Sequence, residues 1–97
     1  MIKIVKEMDN IIISGHANFS DTNDIVCASV SSIMYTTVNA IMSFDKDAII
    51  YEDNNDVVTI TNNKKDDITN KLIDNMINLL DNLKKDYPKN INIIEED

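Results

Sequence analysis

The chain reads as an α+β protein: a two-layer sandwich in ββαββαβ order, with a mainly antiparallel sheet and two helices on one face. Three observations predict this. β-Branched apolar runs lie on either side of Asp/Asn-rich turns at two places in the chain. Two longer segments place apolar residues at helical spacing. The 97 residues, 43% of them hydrophobic, suffice for one modest core, so residues 1–97 are expected to form a single domain.

The first hairpin is expected from strands near 1–7 and 10–15 around Met8-Asp9-Asn10, because Asp-Asn pairs suit a tight turn. The period then changes. Val26, Val30, Ile33, Met34, Thr37, Val38 and Ile41 recur at helical spacing, which predicts a helix from about 25 to 43 with Asp24 as its N-cap. The small residues Ala28, Ser29, Ser31 and Ser32 suit close packing of its first half against a sheet. Runs 48–52 and 57–61 flank Asp53-Asn54-Asn55-Asp56 and read as a second hairpin, whose polar turn is expected to carry no chemistry. After a solvated loop, Asp66 or Asp67 caps a second helix with an apolar stripe of Ile68, Leu72, Ile73, Met76, Leu79, Leu80 and Leu83. Lys84 and Lys85 complement its dipole and Pro88 stops it. Ile91-Asn92-Ile93-Ile94 reads as a last short strand before an acidic tail.

Composition narrows the function. A net charge of −8 disfavours direct nucleic-acid binding, which needs a basic face, and suits a basic protein partner. One cysteine forms no internal disulfide. The start Met1-Ile2-Lys3-Ile4-Val5-Lys6 lacks the apolar core of a signal peptide, and no apolar run approaches a membrane span, so a cytoplasmic protein is expected.

The only glycine, histidine and cysteine fall in one stretch, Gly15 to Cys27. Cysteine is the best side-chain nucleophile near neutral pH, and histidine is its usual base. Cys27 falls in the first turn of the predicted helix, where outward N–H groups favour thiolate over thiol. The loop before it is long enough to bring His16 over that end as a thiolate–imidazolium partner. Asp24, Cys27 and Ser31 share one helix face. Asp24 either caps the helix or orients the imidazole, and Ser31 either packs or bonds the thiolate or substrate. First-turn N–H groups are candidate oxyanion donors. Gly15 supplies a positive φ or close backbone approach where the strand breaks into the loop. Phe19, amid polar residues 17–23, is expected either to cover an apolar substrate side chain or to tuck into the core. Metal binding is not expected, since one His and one Cys leave a zinc site short of ligands. No cofactor is implied.

At Gly15-His16-Ala17 and Asp24-Ile25-Val26-Cys27-Ala28-Ser29-Val30-Ser31 the chain resembles the ribosomal-processing cysteine proteases of the Prp family. Their pattern is Gly-His-Ala, a variable loop, then Gly-x-Asp-Ile-Val-Cys-Ala-Ala-Val-Ser. The resemblance implies a small cytoplasmic homodimer that removes the N-terminal extension from the precursor of a large-subunit ribosomal protein, number twenty-seven, during ribosome biogenesis. It implies Cys27 as nucleophile and His16 as base, with Asp24 and Ser31 linked to the site; Gly15, Ala17 and, from its place in the polar loop, Phe19 are the candidate substrate-binding or loop residues. The loop here is about one residue shorter than the common form. The family glycine before the Asp is replaced around Thr22-Asn23, where Asn23 is expected to tolerate a left-handed turn. Two readings compete with the protease: a non-catalytic ribosome- or protein-binding module of the same fold, and a thiol redox switch.

Overall fold

A computed structural model describes residues 1–22 and 24–96. The strands are β1 (Ile2–Lys6), β2 (Asn10–Ser14), β3 (Ile49–Asn54), β4 (Val57–Asn62) and β5 (Ile91–Glu95). The helices are α1 (Ile25–Phe44) and α2 (Asp67–Asp86). The chain order is the predicted ββαββαβ.

One five-stranded sheet runs β3-β4-β2-β1-β5, antiparallel throughout except for the parallel β1–β5 edge. Register follows the alternating pattern of the strands. Ile4 pairs with Ile13 and Ile93, Ile13 with Val58, and Ile11 with Ile60. Because side chains alternate between faces, these residues all point to one side, and a one-residue slip would expose them. The helices cover that side: α1 buries Val26, Val30, Met34, Val38 and Ile41, and α2 buries Ile73, Met76, Ile77 and Leu80. Together they form one apolar cluster with the strand residues.

Two sequence expectations are corrected. In α2 the buried stripe is Thr69, Ile73, Met76, Ile77 and Leu80, whereas Ile68 and Leu79 are exposed. The helix presents a narrower face to the sheet than its apolar residues would cover. In α1, the 20 residues without a charge make a helix long and apolar enough by composition to cross a bilayer, though no such run was expected. Its apolar stripe packs into the core instead.

Both helix starts are capped as the sequence implies. Asp24 accepts from Val26 and Cys27 N–H, and Asp66, rather than Asp67, accepts from Thr69 N–H.

Candidate active site

The site forms where five pieces of chain meet at one end of the sheet. β1 begins there at Ile2, β2 ends at Ser14, β4 begins at Val57, the β3–β4 turn closes over them, and α1 starts alongside. Between them lies a cavity of about 180 Å³. Its floor is apolar, from Ile2, Ile13, Val30, Met34 and Val58, and its walls carry His16, Cys27, Ser31 and Tyr35 with Asp53 and Asp56. Cys27, Ser31 and Tyr35 succeed one another every four residues, so one face of α1 supplies that part of the wall. A larger cavity of about 250 Å³ opens at the other end, beside the β1–β2 turn, and holds neither cysteine nor histidine.

Gly15 makes the turn from β2 into the loop. Its φ is +85°, and a Cβ there would lie 2.6 Å from the carbonyl oxygen of Met1. The position needs glycine for both backbone angle and space. Its N–H reaches the Asp56 carbonyl oxygen at 3.4 Å, extending the β2–β4 pairing one residue beyond the strands.

The loop is tied down at Ala17 and Phe19. Ala17 is buried; its N–H donates to Cys27 Sγ at 3.1 Å, and its carbonyl accepts from Asn90 Nδ2 at 2.9 Å. Phe19 N–H donates to Asp24 Oδ2 at 3.0 Å. The Phe19 ring neither covers the cavity nor enters the core. It stays exposed and meets Tyr87 edge-on, with ring centroids 5.4 Å apart. The expectation for Asn23 lies outside the described residues.

Asp24 therefore resolves its two possible roles by geometry. One carboxylate oxygen takes the Val26 and Cys27 N–H groups at 3.1 and 3.0 Å, and the other holds the loop. These backbone donors, Cys27 foremost, hold its carboxyl below the usual carboxylate range. The cap also occupies three of the N–H groups expected as oxyanion donors. The N–H groups of Val26, Cys27 and Ala28 are engaged by the side chain and carbonyl of Asp24. The backbone N–H on the sulfur comes from the loop instead.

His16 stands at the rim with its side chain 65% exposed, and its Nε2 lies 3.3 Å from Asp56 Oδ1. The carboxylate beside the imidazole is thus Asp56, from the turn expected to be inert, and not Asp24. Sequence spacing hid this residue because the turn is distant along the chain. Its signal was the pairing of β4 with β2, which a hairpin pattern alone does not reveal. Across the cavity, Tyr51 donates to Asp53 Oδ2 at 3.5 Å and packs edge-on to Tyr35. Burial, and then the neighbouring Tyr35 hydroxyl, push the Tyr51 phenol well above its ordinary value, so it remains a neutral donor. Cys27 is half-buried against the core. No group of three or more metal-binding side chains occurs among the described residues.

No curated protein matches the chain. Among solved structures, it is similar to the essential ribosomal processing protease Prp from Staphylococcus aureus in complex with a covalently linked product peptide. The match has 25% identity and a TM-score of 0.88, over 99% of this chain and 100% of that one. The same S. aureus protease in complex with a substrate peptide matches at 21% identity and TM-score 0.87, over 99% and 100%. SMU.848 from Streptococcus mutans shares the fold at 18% identity and TM-score 0.70, over 98% and 93%. The family model described as cysteine protease Prp covers residues 1–92, the segment that brings the lone cysteine and lone histidine to one cavity, and so the chain belongs to the Prp family of cysteine proteases.

Proposed function

We propose that this protease removes the N-terminal extension from the precursor of large-subunit ribosomal protein number twenty-seven, with Cys27 as nucleophile and His16 as general base and acid. The observation that carries the residue assignment is that the only thiol and only imidazole share one cavity, with a backbone N–H already on the sulfur. The substrate assignment draws on family membership and on the substrate and product peptides held by the S. aureus relative.

In the proposed cycle His16 takes the Cys27 proton, and the Ala17 N–H supports the resulting thiolate. The thiolate attacks the scissile carbonyl and forms a tetrahedral intermediate. Its collapse breaks the C–N bond, and His16 returns the proton to the leaving amine. Water, deprotonated by His16, then hydrolyses the thioester and frees Cys27. Ser31 and Tyr35 offer hydroxyls to substrate along the wall, and the apolar floor receives a side chain next to the cut. The net charge of −8 favours encounter with a basic ribosomal protein. The protein is proposed to act in the cytoplasm as a homodimer.

The test is intact-mass analysis of the host's full-length precursor after incubation with the wild-type protein and with Cys27→Ala. One discrete N-terminal loss, with wild type only, is expected. An intact precursor in both samples would overturn the substrate assignment. Equal processing by Cys27→Ala would overturn the nucleophile.

A further inference from the structure

We infer that Asp56 is a positioning residue of this protease: it engages His16 Nε2 and so presents Nδ1 to the thiol and the leaving amine. The inference rests on the proposed Cys27/His16 assignment and adds a third member from a distant part of the chain.

The geometry has three parts. The Nε2–Oδ1 distance of 3.3 Å places the Asp56 carboxylate beside one ring nitrogen. A neutral imidazole has one donor and one acceptor nitrogen, so a carboxylate at Nε2 selects the tautomer protonated there and leaves the Nδ1 lone pair to accept the thiol proton. The approach is also built into the backbone. β2 pairs with β4 through Ser14 and Val57, and the next contact is Gly15 N–H to the Asp56 carbonyl. His16 and Asp56 therefore leave the ends of adjacent strands together. Asn55, with φ +58°, turns the hairpin tightly enough to hold Asp56 at that end.

The other acidic side chain on the cavity wall is differently engaged. Asp53 takes the Tyr51 hydroxyl, and Asp24 is committed to the helix start and Phe19. Both His16 and Asp56 are largely exposed, so the contact adds little to folding. Its consequence is directional: it chooses which nitrogen faces the sulfur before substrate arrives.

Because His16 is the only histidine, its ring nitrogens give unambiguous long-range ¹H–¹⁵N correlations. At a pH where the ring is neutral, the wild type is expected to show mainly the Nε2–H tautomer. Asp56→Ala is expected to show a mixed population, with kcat for a peptide spanning the cut lowered at least about tenfold and KM within about twofold. Asp56→Asn, which keeps an oxygen acceptor, is expected to recover part of kcat and of the tautomer bias. An unchanged tautomer pattern with kcat within about twofold in Asp56→Ala overturns the assignment. His16→Ala separates the two levels of the argument. Its full activity would overturn the dyad and the role of Asp56 with it, whereas its inactivity beside an active Asp56→Ala overturns Asp56 alone.

Discussion

The two hairpin turns are chemically alike but meet different neighbours. The β1–β2 turn has Asp9 and the β3–β4 turn has Asp56, each paired across space with a cationic or ionisable side chain. Asp9 Oδ2 lies 3.1 Å from Lys65 Nζ, and Asp56 Oδ1 lies 3.3 Å from His16 Nε2. Each turn also rims a cavity floored by strand residues: Ile11 and Ile60 at one end, Ile13 and Val58 at the other. Both are exposed side-chain contacts of similar length. What separates them is the neighbour. Lys65 belongs to the loop before α2, whereas His16 stands in the loop that places an N–H on Cys27. Turn chemistry closes a hairpin, but sheet order decides what the turn touches.

The largest effects should come from the floors. Ile11→Ala and Ile13→Ala each delete a buried side chain and are expected to cost about 2–4 kcal/mol in urea unfolding. Of the two, only Ile13→Ala should also raise KM in the protein that remains folded. A KM change in Ile11→Ala would dissolve the distinction between the ends. Gly15→Ala comes next. Its positive φ and the Cβ clash with Met1 predict a loss of about 1–3 kcal/mol by thermal melting, together with reduced activity as the loop shifts from Cys27.

Asp24→Asn probes the end of the sheet that holds Cys27. An amide keeps one oxygen for the helix cap but loses the second acceptor that holds Phe19. Retained helicity by circular dichroism, with activity several-fold lower, is expected. Proton linkage gives a related test. Asp24, Asp45 and Asp66 are held below their ordinary value of 3.8. The leading causes are the Cys27 N–H for Asp24, the Lys64 ammonium for Asp45 and the Thr69 hydroxyl for Asp66. A lowered folded-state value means the unfolded chain binds protons first as pH falls. Their stabilisation is therefore complete above about pH 4 and lost as pH drops through the folded values. Urea midpoints measured across that range should fall less steeply in Asp24→Asn. The smallest effect is expected from Asp9→Ala, which removes an exposed pair for about 0.2–1 kcal/mol and leaves activity within twofold.

Much of the fold was legible because its signals are local. Alternation in the strands, the helical spacing of Val26 through Ile41, and the Asp caps at 24 and 66 each depend on residues within a few positions. Ile68 and Leu79 were misplaced for the opposite reason: how much of an amphipathic face is covered depends on what packs against it. The thiol and imidazole stood out because each is the sole residue of its kind, and the structure lines one cavity with both.

By itself, the sequence determined the order of elements, the capped start of α1, the need for glycine at 15 and the two residues proposed to bear the chemistry. Tertiary structure decided the rest. It paired β4 with β2, which brought Asp56 to His16. It engaged the N–H groups of Val26, Cys27 and Ala28 with Asp24 and brought the Ala17 N–H to Cys27 Sγ. It turned Phe19 toward Tyr87 rather than over the cavity. The physical reason is the same in each case. Caps, turns and periodicity are set by short-range backbone geometry, whereas the partner of an exposed carboxylate, N–H or ring is set by which distant segment the sheet lays beside it.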